Sequence, residues 1–320
     1  MTTFKEIRGT DILALSSDPS NPEEGQIWYN SSSGTLKGKA FVQGSFTSGG
    51  NLNTARYIFA GAGTLTAALA FGGQAGAVPP VANSESYNGT SWTATPALNT
   101  ARLYLGGGGT NTAAVAFGGS PSATEKWNGS TWTSGNALVA PRSQLTGTGT
   151  QTATLAFGGP PGATESYDGT NWTSLNAMNT GRAQLSGSGN QTAAIATGGY
   201  PPSNIAQSAV ESWNGTSWTN ITSMNTAKWG SATGGTSNTA SVVFGGYTGT
   251  TALNSTESYN GTSWTTLPAT LTTARYNGNN CNLGTQSSSL FIGGQTQTSF
   301  TAATEAWNGP STATKTITVS

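Results

Sequence analysis

A Gly-Gly pair closing an apolar run recurs six times, at Phe71-Gly72-Gly73, Phe117-Gly118-Gly119, Phe157-Gly158-Gly159, Thr197-Gly198-Gly199, Phe244-Gly245-Gly246 and Ile292-Gly293-Gly294. Each pair is followed by a glutamate (Glu85, Glu125, Glu165, Glu211, Glu257, Glu305) and, two residues later, by Tyr87, Trp127, Tyr167, Trp213, Tyr259 or Trp307. In five copies a turn and a second aromatic come next, at Trp92, Trp132, Trp172, Trp218 and Trp264. A base then stands ten or eleven residues on, at Arg102, Arg142, Arg182, Lys228 and Arg275. A fixed period of this kind describes a unit too small to bury its own apolar face, stacked against copies of itself.

Between these markers the segments are short, alternating and rich in Thr, Val, Ala and aromatics, which is a strand pattern. Each unit reads as four antiparallel strands. The first starts at the base, the second ends at Gly-Gly, the third carries the Glu and Tyr/Trp, and the fourth carries the Trp. The steps Asn88-Gly89, Asn128-Gly129, Asp168-Gly169, Asn214-Gly215 and Asn260-Gly261 predict type I′ hairpin turns, in which both central residues need positive φ. Six such units predict an all-β, six-bladed β-propeller over 41–309, with an N-terminal module at 1–40 and a C-terminal tail at 310–320. The Gly-Gly, Tyr and Trp positions resemble those of the kelch repeat across 45–309, and that resemblance implies a kelch-like propeller.

The ends predict how such a ring closes. Ser45-Phe46-Thr47, with Arg56 ten residues after Phe46, matches Ser91-Trp92-Thr93 and Arg102, with Phe in place of Trp. The last unit lacks a fourth strand. The economical reading pairs the strand around Phe46 with the third strand of the last unit, leaving no open edge; the alternating tail Thr314 to Val319 is the competing donor.

Composition removes whole classes of chemistry. The chain has 320 residues, no histidine and one cysteine, Cys281. Disulfides, Cys/His zinc sites and nucleophile–His pairs are therefore excluded, and no cofactor, metal or catalytic residue is expected. Twelve bases balance twelve acids, so no net field favours nucleic acid or an anionic membrane. No run of about 18 apolar residues suggests a membrane span, and no secretion signal is expected.

The remaining charge is itself periodic. Arg56, Arg102, Arg142, Arg182, Lys228 and Arg275 are expected to pair with the repeat glutamates as structural contacts rather than as an anion-binding ring. The recurrent Trp and Tyr are expected in the core, the late first-strand glycines where inner strands converge, and Cys281 as a small buried filler. The Asn-Gly-Thr/Ser triplets are explained by their turns rather than by glycosylation.

Length variation falls in one place. From the second Gly to the Glu the spacings are 12, 6, 6, 12, 11 and 11, whereas Glu to Trp is always seven. The second-to-third-strand loops are thus the candidate binding loops, with Pro79, Pro80, Tyr200, Pro201, Pro202, Ile205, Tyr247, Leu253 and Phe300 as contacts, beside Val78.

Residues 1–40 leave the repeat and hold Glu6, Asp11, Asp18, Glu23 and Glu24. Gly25 to Asn30, Ser31 to Gly34 and Thr35 to Gly38 read as strand, tight turn, strand. The stretch GQIWYNSSSGTLKG, joined to threonine-rich repeats, resembles N-terminal parts of tail-fibre and other virion proteins of tailed bacteriophages. That resemblance implies a non-enzymatic virion protein, made in the host cytoplasm and anchored through Ile27, Trp28, Tyr29 and Leu36 to other virion proteins. Its propeller would meet a host surface protein or glycan, without nucleic acid or membrane insertion, and a homo-oligomer on the particle is compatible with this arrangement. The alternatives are a sialidase-like enzyme or lectin, for which Ser166-Tyr167-Asp168-Gly169-Thr170-Asn171-Trp172 is a loose match, and a cellular kelch adaptor.

Overall fold

The structure, a computed structural model, describes residues 12–76, 79–279 and 283–318. Of the residues singled out above, Glu6, Asp11, Val78, Cys281 and Val319 lie outside them. The chain is all-β and divides into two compact units, one formed by the residues up to Gly44 with those from Gly309 onward, the other by Ser45–Asn308. No helix among the described residues is long and apolar enough to cross a membrane.

The larger unit has a propeller-like architecture of small antiparallel sheets. The first sheet comprises Ala60–Thr64, Ala67–Phe71, Ser84–Tyr87 and Trp92–Thr95, each strand paired with the next. The second (Leu103 to Gly135), third (Leu145 to Leu175), fourth (Ser186 to Ile221) and fifth (Ala232 to Leu267) repeat that order. In the sixth, Ser288–Ile292 pairs with Thr304–Asn308, and the outer strand is Ser45–Ser48, with Phe46 opposite Trp307. The tail does not take that position.

Burial is concentrated between sheets. Each of six apolar clusters joins one sheet to the next, and the cluster of Leu290, Ile292, Ala68, Ala70, Tyr87 and Trp92 joins the sixth to the first. The phenylalanine before Gly-Gly packs on the Trp of the following sheet: Phe71 on Trp132, Phe117 on Trp172 and Phe157 on Trp218, with ring centroids 4.9–5.0 Å apart. Phe46 meets Phe244 edge-on at 5.3 Å, the same role with a smaller ring. Several of these indoles also donate across the seam, Trp92 Nε1 to Thr304 Oγ1 at 3.0 Å and Trp218 Nε1 to Thr164 Oγ1 at 2.8 Å. Aromatic bodies with a satisfied polar tip suit such seams. Glycine is required where the inner strands crowd: a Cβ on Gly147 would lie 2.2 Å from the Phe117 ring.

The hairpins between third and fourth strands differ from expectation. Tyr87 pairs with Trp92, so the loop is the four residues Asn88–Ser91, and the same register recurs in the other four. Only the glycine has positive φ, between 91° and 95°, while the preceding Asn or Asp does not. These are not type I′ turns. The Asn88 side chain instead accepts the N–H groups of Thr90 and Ser91, and Asn128, Asp168, Asn214 and Asn260 do likewise. The Asn works through its side-chain acceptor, as an Asx turn, rather than through a left-handed backbone.

The periodic charges are ion pairs inside each sheet. Arg56–Glu85 and Arg275–Glu305 lie at 2.9 Å, Arg182–Glu211 at 3.0 Å, Arg102–Glu125 at 3.1 Å, Lys228–Glu257 at 2.9 Å, and Arg142 contacts Glu165 directly. All are buried. The second carboxylate oxygen accepts the backbone N–H of the preceding connection, for example Asn53, Asn179 and Asn225. Each pair thus ties the segment entering the first strand, the third strand and the incoming loop. Burial lowers the guanidinium pKa of Arg56 and Arg275 to about 10, against the pull of the paired glutamate, so both remain charged at neutral pH.

The Lys228 pair is the weak member. Every arginine also donates to the carbonyl just ahead of the third strand, such as Asn83 O and Ala209 O, both at 2.7 Å. The Lys228 ammonium makes no such bond to the equivalent Ser255 carbonyl among the described residues, and burial pushes its pKa down more than Glu257 restores it. Lys228→Arg should therefore raise Tm by about 2–4 °C, the effect of about 1 kcal/mol from one more charged hydrogen bond. Differential scanning calorimetry checks it.

In the smaller unit, Ile27–Asn30 and Thr35–Val42 form the expected hairpin, with Leu13–Leu15 parallel to the first strand. Residues expected as a tail are instead its fourth strand: Ser311–Thr316 pairs antiparallel with the far edge of Thr35–Val42, from Ser311 opposite Val42 to Thr316 opposite Lys37. An alternating Thr/Ala segment covers an edge that would otherwise lie open. The N-terminal module extends past residue 40 for the same reason, because the hairpin strand runs on to Val42.

Asp18 organises this unit. Its Oδ1 accepts from Trp28 Nε1 at 3.1 Å and Asn30 Nδ2 at 2.7 Å, and its Oδ2 lies 2.8 Å from Lys37 Nζ. The hydrogen bond from Lys37, then those from Asn30 and Trp28, lower its pKa to about 2 from 3.8. A carboxylate held below its unfolded value stabilises the fold above pH 3.8, and that contribution is lost as pH falls through about 2. The Trp28 indole N–H resonance should shift over that window by NMR, and Asp18→Asn should abolish the shift.

Candidate functional site

After each base the chain runs two residues and then turns into the first strand or inner segment of its sheet. The second of those residues is Ile58, Tyr104, Gln144, Gln184, Gly230 or Asn277, and all six have φ between 48° and 62°. Their backbones bond to one another in sequence. Tyr104 N–H donates to Ile58 O, Gln144 to Tyr104, Gln184 to Gln144, Gly230 to Gln184, Asn277 to Gly230 and Ile58 to Asn277, at 2.7–3.1 Å. The result is a closed ring of six hydrogen bonds. Left-handed backbone is costly outside glycine, most of all for a β-branched residue such as Ile58. Here it lets every N–H and C=O of the ring find a partner.

Inside the ring lies a cavity of about 80 Å³ whose wall includes Tyr104, Gln144, Gln184, Leu185 and Ser186. Gln184 lies beside the Tyr104 phenol, and Gln144 beside that of Tyr200. Burial raises the pKa of Tyr57, Tyr104 and Tyr200, so their hydroxyls stay protonated and able to donate. Gln184 Oε1 is buried and has no hydrogen-bond partner among the described residues.

Aromatic rings flank the mouth. Tyr247 stacks on Tyr276 at 4.5 Å, Trp229 meets Tyr200, Tyr247 and Tyr276 edge-on at 5.0–5.4 Å, and Tyr57 stacks on Phe300 at 4.5 Å. The Tyr57 hydroxyl donates to Gln74 Oε1 at 2.9 Å. Backbone bridges between Ala183 and Tyr200, Trp229 and Tyr247, and Tyr276 and Gln295 put the base-following residues and the second-to-third-strand loops on one end of the sheets. That end carries amides, hydroxyls and aromatics. Six of the seven bases in Ser45–Asn308 are buried against glutamates, while Lys126 reaches Gly169 O and Asp168 caps its turn at the opposite end.

Of the loop residues expected from the sequence, Tyr200, Tyr247 and Phe300 belong to this aromatic group. Pro79, Pro202 and Ile205 are exposed, the last at 64%, and Pro80, Pro201 and Leu253 are half-buried. Tyr57, Tyr104, Gln144, Gln184, Trp229 and Tyr276 were not expected. Their signal is legible once the copies are superposed on the base: the two residues after it read Tyr-Ile, Leu-Tyr, Ser-Gln, Ala-Gln, Trp-Gly and Tyr-Asn. Variation at a fixed register, with large polar and aromatic residues, marks positions freed from packing.

In the smaller unit the expected anchoring residues separate. Trp28 is fully buried and held by Asp18, which removes it as a contact surface, while Tyr29 is exposed. Ile27 and Leu36 line, with Phe41 and Ile317, an apolar groove of about 820 Å³. No protein-family model matches the chain, and comparison with curated proteins gives no match.

Proposed function

We propose that this chain is a non-enzymatic recognition or attachment protein of a bacteriophage particle, built as a six-bladed kelch-like propeller with a smaller unit that joins it to other virion proteins. The observation that carries the reading is the aromatic and amide-rich face around the ring of Ile58, Tyr104, Gln144, Gln184, Gly230 and Asn277. Six sheets are supported by that ring and by the seam that returns from the sixth to the first. The kelch reading rests on the repeat register, and the virion reading on the hairpin stretch GQIWYNSSSGTLKG.

A binding role is favoured over catalysis by how the acids are used. Each of the six glutamates is held by a base and, at its other oxygen, by a backbone N–H. Glycoside cleavage needs two carboxylates facing one bond, or a tyrosine with an acidic partner. Asp168, the residue on which a sialidase-like reading depends, uses its Oδ1 to accept the N–H groups of Thr170 and Asn171 in its own turn. Attachment falls to the groove of Ile27, Leu36, Phe41 and Ile317 together with exposed Tyr29.

Mass spectrometry of density-purified particles tests this. The protein should co-purify at stoichiometric abundance and remain through a salt wash. Recovery only in the soluble fraction of host cells would assign it to a cellular adaptor instead.

A further inference from the structure

We infer that the ring mouth binds the terminal sugar of a neutral glycan, an inference that rests on the recognition reading above and names its ligand. Three observations converge on it. The first is the pairing of ring faces with amides. Aromatic side chains present apolar faces that match the C–H face of a pyranose, and such rings are supplied by Tyr57, Trp229 and Tyr276, each one residue before a cavity-lining residue, with Tyr200 and Tyr247 packed on Trp229. Gln144 and Gln184 each spend an amide N–H on a phenol, Tyr200 and Tyr104 respectively, and keep a carbonyl acceptor and a second N–H, the combination that vicinal hydroxyls require.

The second is the orphaned Gln184 Oε1, buried in the cavity wall beside the Tyr104 phenol. A buried acceptor without a donor is destabilising unless a ligand completes it, and a sugar hydroxyl is a donor of the right size. The cavity of about 80 Å³ admits a hydroxymethyl or acetamido group rather than a chain, so a terminal residue enters and the rest of the glycan lies across the aromatic rings.

The third is charge. The arginines nearest the mouth are fully buried and paired, so among the described residues no cation there is free to meet a carboxylate or sulfate. An acidic sugar would be desolvated there without a counter-charge. The ligand is therefore uncharged.

The full-length protein is tested on an array of neutral oligosaccharides (terminal glucose, galactose, mannose, N-acetylglucosamine), sialylated and sulfated glycans, and unmodified peptides. The best neutral ligand is then titrated calorimetrically against Gln184→Ala, Tyr104→Phe and Trp229→Ala, with Lys126→Ala as a remote control. A neutral glycan should bind, the Gln184 and Trp229 variants should lose at least tenfold in affinity, and the Lys126 variant should match the wild type, all four with unchanged far-UV circular dichroism. Binding confined to acidic glycans or to peptides overturns the inference, as does no binding at all. Undiminished affinity in both Gln184→Ala and Tyr104→Phe overturns its location, even if Trp229→Ala misfolds. Recovery of the protein in particles without glycan binding defeats this inference alone and leaves the attachment reading standing.

Discussion

Arg182→Met should lower the urea midpoint sharply, by the equivalent of about 3–5 kcal/mol, because it strands a carboxylate in the interior. Glu211 is buried, with a side-chain exposure of 1%, and Arg182 is the base that compensates it, at 3.0 Å. The loss reaches further than the pair. Arg182 Nη1 also donates to Gly198 O and Ala209 O at 2.6 and 2.7 Å, and Glu211 Oε2 accepts the Asn179 N–H at 2.8 Å. Removing the base unties the second strand, the third strand and the incoming loop together. The double variant Arg182→Met/Glu211→Leu should recover part of the loss, since an apolar pair of similar volume leaves no buried charge. Chemical denaturation of the two proteins measures both. A single variant within 1 kcal/mol of wild type would mean that water or a neighbouring donor already solvates Glu211.

The second large effect concerns the strand that completes the sixth sheet. Deletion of residues 1–50 should lower the melting temperature by on the order of 10 °C or more relative to deletion of 1–44, because the difference between the two truncations is Ser45–Ser48 and its flank. That strand pairs residue by residue with Glu305–Asn308, and Phe46 packs at 5.0 Å on Trp307 and 5.3 Å on Phe244. Without it the sixth sheet keeps two described strands and an open edge, and an aromatic seam loses a wall. Calorimetry on both truncations decides it; equal melting temperatures would remove Ser45–Ser48 from any part in closure.

Much of this was legible in the chain because repetition makes a weak local signal strong. One Phe-Gly-Gly is uninformative, but six in register with Glu, an aromatic and a base define a four-stranded antiparallel unit and place each marker on its strand. The Phe46 strand was readable for the same reason, as a fragment of the repeat found out of place. The turns show where local reasoning stops. Asn-Gly is compatible with two hairpins, and the cross-strand register of Tyr87 with Trp92 selects the four-residue form in which the Asn side chain, not its backbone, makes the turn.

The repeat by itself determined the all-β class, the strand order within each unit, the pairing of base with acid and the aromatic core, since these depend on contacts inside one unit or between a unit and its copy. Tertiary structure alone decided what the non-repeating residues do. Tyr57, Tyr104, Gln144, Gln184, Trp229 and Tyr276 are far apart in sequence and share a register after the base but no single residue type, and the closed ring of backbone bonds brings them to one mouth. It likewise turned the last residues into a strand beside Thr35–Val42, and sent Trp28 inward onto Asp18 rather than outward to a partner. The physical reason is the same in each case: a residue's packing partners follow from periodicity when its neighbours are copies, and from three-dimensional closure when they are not.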